Sequence, residues 1–162
     1  MIVEKNSFGY YSVINMPNKE DLKYFYANKY FQNDGIRYNH TYSEDELIFM
    51  ENKAKIADHI LNKINNKTKK SILDVGSGEG FFAKYFFKQS NDVKTLDFSS
   101  FAIAHHNPEL ISTLQQGDIF NSLDDALKNQ EKYDLINLSN VLDHVIDPIE
   151  LLKKLKLLLK NN

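Results

Sequence analysis

From residue 71 onward, the chain alternates short strand-like runs with helical ones. "SILDV" is followed by a helix carrying Phe81, Phe82, Tyr85 and Phe86, and "DVKTLDF" by the short helix "SSFAIAHH". "LISTLQQGD" contains a third strand ahead of the helix "SLDDALKN", and "YDLINLS" is a fourth. A last helix starts at Asp147, Pro148 and Glu150, which are an N-cap, a first-turn proline and an acidic N3 residue. Strands separated by helices pair in parallel, because the crossover leaves no other arrangement. The expected fold is therefore an α/β, doubly wound, mainly parallel sheet.

Two further sections precede this unit. Residues 1–42 form an aromatic-rich extension, in which Asn18 is placed to cap a helix bearing Leu22, Phe25, Tyr26 and Tyr30, stopped by "NDG" at 33–35. Ser43 and Glu46 then make a capping box. The stripe Leu47, Met50, Ala54, Ala57, Leu61 and Ile64 predicts a long helix laid on the sheet. Residues 43–162 are taken as the second unit, the sheet domain itself.

Three glycines, Gly76, Gly78 and Gly80, follow the first strand directly. Ligands in such sheets sit at the carboxyl ends of the strands, so this loop is well placed to hold one. Two glycine-loop chemistries compete. A dinucleotide fold needs G-x-G-x-x-G, but here position 81 is Phe81, where the glycine for close helix–strand packing would stand. "LDVGSGEG", with its G-x-G-x-G, resembles motif I of class I S-adenosylmethionine-dependent methyltransferases. The resemblance implies that Asp74, Gly76, Ser77 and Gly78 hold the amino-acid portion of S-adenosyl-L-methionine.

Later landmarks extend the resemblance in order. Asp97, in "TLDFS", lies 21 residues after Gly76, where a carboxylate can take both ribose hydroxyls. It could instead cap the following helix, although Ser99 can supply that cap. "QQGDIF" resembles the family's adenine-binding turn, with Asp118 accepting from the exocyclic amine and the Ile119 amide serving a ring nitrogen; Asp118 could also be a plain turn residue. "LSNVLDHVIDP" resembles the family's run after the fourth strand, with Asp143 in place of its usual glutamate. Phe98, Ser139 and Asn140 are implied cofactor neighbours. No metal site is expected.

Methyl transfer from a sulfonium is an in-line displacement, in which alignment supplies much of the rate and an oxygen or nitrogen nucleophile of high pKa also needs a base. His144, after the fourth strand, is the candidate base; its alternative role is a structural hydrogen bond across the loop. Tyr38, His40 and Tyr42 are candidate lid residues, because they lie in the loop before the capping box.

"NKEDLKYFYANKYFQNDGIRYNHTYSEDEL" resembles the N-terminal extension of bacterial methyltransferases encoded with surface-polysaccharide genes. Leu22, Phe25, Tyr26, Lys29, Tyr30, Phe31 and Gln32 follow its order. That implies a sugar or sugar-nucleotide acceptor. The family's sheet has further strands, and the chain is expected to be short by the fifth to seventh. The fourth strand should then be an open edge and the last helix partly uncovered, a state that invites self-association or a covering partner. A non-catalytic module that keeps the nucleoside pocket, and an NAD-dependent oxidoreductase, are the alternatives from other classes.

Composition removes other possibilities. No cysteine is present, which excludes disulfides and thiolate metal sites. A net charge of −2 gives no footprint for nucleic acid. No run approaches the roughly 20 apolar residues of a membrane span and none resembles a signal peptide, so a cytoplasmic location is expected.

Overall fold

The computed structural model describes residues 2–30 and 41–161. An antiparallel hairpin comes first, pairing β1 (Val3–Lys5) with β2 (Tyr11–Val13). Its turn is held by Asn6, whose side chain accepts from the Phe8 amide and whose carbonyl accepts from Gly9, at φ +89°. Helix α1 (Lys19–Asn28) starts at Asn18, which accepts from the Asp21 amide at 2.8 Å. It ends before Tyr30 and before the expected stop at 33–35, which lies outside the described residues.

Helix α2 (Glu44–Ile64) has the expected capping box: the Ser43 amide donates to Glu46 and the Glu46 amide to the Ser43 hydroxyl. Its stripe is buried only at the centre. Ala54 and Leu61 pack with Ile72 and Phe86, whereas Leu47 and Ile64 at the two ends are exposed.

The main sheet contains β3 (Ser71–Val75), β4 (Asp92–Asp97), β5 (Leu114–Gln116) and β6 (Leu135–Leu138), all parallel, in the order β5-β4-β3-β6. Alternation along β3 sends side chains to both faces. Ile72 meets α2 and α3 (Phe81–Lys88), while Leu73 and Val75 join the larger core built with α5 (Ile119–Lys128) and α6 (Pro148–Leu158). Helix α4 (Phe101–His106) follows β4. This is the expected doubly wound α/β, Rossmann-like arrangement.

Three details refine the expected pattern. The third strand occupies Leu114–Gln116 of its expected stretch, and ahead of it Pro108 opens a 3-10 turn through Thr113, whose hydroxyl donates to the Leu110 carbonyl. Helix α5 starts at Ile119 instead of Ser122, because Asp118 caps it. The last helix is partly covered: Leu151, Leu155 and Leu158 are buried, whereas Leu152, Leu157 and the following Leu159 are exposed. Beyond that helix the backbone also returns to the sheet. The Tyr133 amide donates to Leu158, and the Lys160 amide to Tyr133, forming a parallel bridge at the foot of β6.

Asp134 anchors the same foot. Its carboxylate accepts from the Ser71 amide and hydroxyl, Asn65 Nδ2 and Lys160 Nζ, all within 3.0 Å. These donors hold its carboxyl down at about 2, against the opposing effect of burial. Among the described residues, no helix is long and apolar enough to cross a membrane.

Candidate active site

At Val75 the chain leaves β3 and enters a loop in which Gly76, Gly78 and Gly80 all have left-handed φ, at +67°, +53° and +79°. L side chains resist that region, which accounts for the residue type. Two of the three glycines also serve internal packing. A Cβ on Gly76 would stand 2.3 Å from Val141 Cγ2, and one on Gly80 would be 3.0 Å from Leu110 and 3.1 Å from Ile103. Gly80 thus lets the start of α3 lie close to α4 and to the 3-10 turn that carries Leu110, and Phe81 begins the helix directly after it.

The loop is clamped from three sides. The amides of Gly76 and Ser77 donate to the Leu96 carbonyl at 2.8 and 3.0 Å. Fully buried Asn107 donates through Nδ2 to the Glu79 carbonyl and accepts from Lys84 Nζ, both at 2.6 Å. The Tyr42 hydroxyl donates to Glu79 at 2.8 Å, and its ring meets Phe81 edge-on.

Asp97 closes β4 and faces the loop. Its Oδ2 accepts from the Gly78 amide at 2.9 Å and its Oδ1 from Ser99 at 3.0 Å. Ser99 Oγ in turn accepts from the Phe101 amide, so Asp97 does not serve as the helix cap. Burial pushes the Asp97 carboxyl up, and the two amides oppose that shift. Asp74 is buried beneath it and is raised to about 6, by burial first; Asn137 Nδ2, at 2.6 Å, works in the other direction.

A cavity of about 390 Å³ opens over this constellation, within the usual size range of small-molecule sites. Strand ends bring Asp74, Asp97 and Phe98 to it, and the glycine loop brings Gly76, Ser77 and Gly78. Ser139, Asn140 and His144 come from the segment after β6, Ile119 from the start of α5, and Tyr42 from the other rim. Asp118 does not reach it. Its Oδ1 accepts from the Asn121 amide, Lys19 Nζ lies 3.9 Å from its other oxygen, and it lines a neighbouring cavity of about 260 Å³. Asp118 is thus the N-cap of α5, while the adjoining Ile119 lines the first cavity. Tyr38 and His40 lie outside the described residues.

Two groups in the cavity escaped the sequence reading. Lys53, on α2, is the lysine lining the cavity among the described residues, in a wall that also carries the carboxylates of Asp74, Glu79 and Asp97. It lies one turn from Met50, and no motif distinguishes it from the helix's solvated lysines. Tyr26 reaches in from α1 and lies parallel to Phe98, with ring centroids 6.0 Å apart. Its pattern resembled ordinary helix packing. No group of metal-ligating side chains is present among the described residues.

The donor set suits a polar ligand with an aromatic part. The Ser77 hydroxyl is buried without a partner, a cost that a ligand atom would relieve. Asp97 offers carboxylate oxygens at the loop, and Phe98 offers a ring face.

A family profile described as "Methyltransferase domain" matches residues 48–162. The ubiquinone biosynthesis O-methyltransferase of Actinobacillus pleuropneumoniae serotype 7 is 30% identical over 111 residues, covering 64% of this chain and 47% of that protein. Its counterpart in Histophilus somni is 28% identical over 113 residues, covering 64% and 46%. The chain thus spans about half the length of the curated relatives it matches. Among solved structures, the plantazolicin methyltransferase BpumL, in complex with a pentazolic desmethylPZN analog and SAH, is 28% identical with a TM-score of 0.58, covering 73% of this chain and 45% of that one. The sugar N-methyltransferase KedS8 from Streptoalloteichus, 16% identical with a TM-score of 0.51 and coverage of 78% and 52%, shares the fold.

Proposed function

The chain belongs to the methyltransferase-domain family, and from that premise we propose that it binds S-adenosyl-L-methionine in the glycine-loop cavity and methylates a small-molecule acceptor. The observation that carries this is the pairing of Asp97 with the Gly78 amide across the loop. It sets a carboxylate at the end of the second parallel strand, within reach of vicinal ribose hydroxyls. The SAH bound to BpumL supports the cofactor class.

In this arrangement, Asp97 receives the ribose and Phe98 the face of the base, with the Ile119 amide at its edge. Ser77 Oγ and Lys53 serve the amino-acid end, where Lys53 would pair with a carboxylate and Asp74 would oppose it. The sulfonium of the bound cofactor supplies a methyl group on a good leaving group. The protein's work is to hold the acceptor in line, exclude water and receive a proton, which is the role proposed for His144. Residues 1–42, with Tyr26 stacked on Phe98, act as a lid on the domain formed by 43–162.

A neutral sugar is the acceptor class we favour over a sugar nucleotide. The N-terminal resemblance points to sugars, whereas the second cavity carries Asp118, Asp124, Asp147 and Glu150 against Lys19, a poor setting for a diphosphate. That cavity shares Tyr26, Phe98, Ile119, His144 and Val145 with the first, so an acceptor lying there would meet the cofactor at this common wall.

Calorimetric titration with S-adenosylhomocysteine tests the cofactor assignment. Micromolar binding that falls at least tenfold in Asp97→Ala is expected. A folded wild-type chain that binds none removes the proposal, and binding without turnover of any acceptor would leave a cofactor-binding module.

A further inference from the structure

His144 stands in the wall between the two cavities, and both of its ring nitrogens are engaged. Nδ1 is 2.7 Å from the Tyr26 hydroxyl, and Nε2 is 3.4 Å from Oδ2 of Asp143. A carboxylate only accepts, so the nearby Asp143 favours the Nε2–H tautomer of the neutral ring; an Nε2 lone pair would face a negative oxygen. Nδ1 is then the acceptor, and Tyr26 donates to it. The only basic lone pair of His144 is already covered by the Tyr26 hydroxyl, so an acceptor cannot give its proton to the imidazole directly.

We propose that Tyr26 Oη is the atom that takes the acceptor's proton, with His144 as the base behind it and Asp143 fixing the imidazole. Tyr26 lines both cavities, and its ring is held parallel to Phe98 at 6.0 Å, so its oxygen stands where an acceptor in the second cavity meets the first. The balance is simple. The acceptor O–H proton moves to Tyr26 Oη as the Tyr26 proton moves to Nδ1. The acceptor oxygen bonds the methyl carbon, and the carbon–sulfur bond breaks with its electron pair remaining on sulfur. The products are a methyl ether, a thioether and an imidazolium ion facing the Asp143 carboxylate. This inference rests on the methyl-transfer reading above and adds to it a catalytic residue supplied by α1.

Long-range proton–nitrogen correlation spectra of ¹⁵N-labelled protein test it without an acceptor, recorded at a pH where the imidazole is neutral. His144 is expected as the Nε2–H tautomer, assigned by its absence in His144→Gln. In Tyr26→Phe the Nδ1 resonance should move downfield as its donor is lost. An Nδ1–H tautomer in the wild type overturns the proposal and needs no variant to be read. So does an Nδ1 resonance that ignores Tyr26→Phe in a variant whose amide spectrum is otherwise native.

With any acceptor that supports S-adenosylhomocysteine release, Tyr26→Phe should lower kcat about a hundredfold or more, the usual scale of proton-transfer catalysis, with cofactor affinity kept. Unchanged kcat would make the contact structural. Titrating S-adenosylhomocysteine into the same labelled sample reads the cofactor assignment separately.

Discussion

Gly76 and Val141 occupy a single space: a Cβ on the glycine would stand 2.3 Å from Val141 Cγ2. The first glycine of the loop is thus required by the segment after β6 as well as by its own left-handed backbone. Gly76→Ala should lose about 2–4 kcal/mol of stability, combining overpacking of about 1–3 kcal/mol with roughly 1 kcal/mol of backbone cost. Adding Val141→Ala should recover the packing part and leave the backbone part. Urea denaturation of the four proteins of the cycle measures the coupling, and strictly additive losses would contradict the shared-space account.

Lys53 should matter to only one end of the cofactor. Lys53→Met is expected to weaken S-adenosylhomocysteine about tenfold, roughly 1.4 kcal/mol, through loss of a charge-assisted contact. 5′-Methylthioadenosine, which has no carboxylate, should bind both proteins equally. Calorimetry with the two ligands separates this from general damage to the cavity, because equal weakening of both would place Lys53 in a structural role.

Asp74 makes stability fall with pH in a defined window. Its folded value of about 6 lies above the ordinary 3.8, so the folded protein retains a proton that the unfolded chain releases. The associated stability is present in full below about pH 4 and is lost as pH rises to about 6, amounting to about 3 kcal/mol. Asp74→Asn mimics the protonated form. The stability gap between variant and wild type should therefore open from pH 4 to 6 and stay level above. A gap that does not change with pH would show that Asp74 titrates normally.

Asn107 should be worth more than an ordinary buried amide, because it satisfies both the Glu79 carbonyl and the Lys84 ammonium. Asn107→Ala strips the Glu79 carbonyl of this donor and leaves Lys84 with its longer contact to Glu109, at 3.5 Å, and should cost about 2–4 kcal/mol. Amide exchange should quicken first at the glycine loop. Loss of stability with no change in loop protection would mean that the clamp acts elsewhere.

The parallel sheet could be read from the sequence because each strand is a compact apolar run with a turn residue at its end, as in "SILDV" before Gly76. Caps could be read for the same local reason, at Asn18, Ser43 and Asp147. The β1–β2 hairpin was missed because its strands are three residues each and largely exposed, so no alternation accumulates. The 3-10 turn from Pro108 to Thr113 has no separate signal, because Leu110, Ile111 and Thr113 are apolar or β-branched and run directly into the strand at Leu114. In the site, motif residues such as Asp97 could be found because their spacing follows the strands. Lys53 and Tyr26 lie on helices that reach the cavity only through tertiary packing, and the capping role of Asp118 depends on where α5 begins, which its sequence leaves open.

Asp134 fastens the foot of the sheet, joining Ser71, Asn65 and Lys160 at the end remote from the cavity. The sheet therefore behaves like a book bound along its spine. Strand separation is blocked where the chain enters the strands, and thermal breathing is concentrated in the loops that leave them. Any opening that admits a ligand is therefore expected at the carboxyl ends of the strands, where the glycine loop, the Phe98 turn and the segment carrying Val141 and His144 meet, with the strands beneath them left in register.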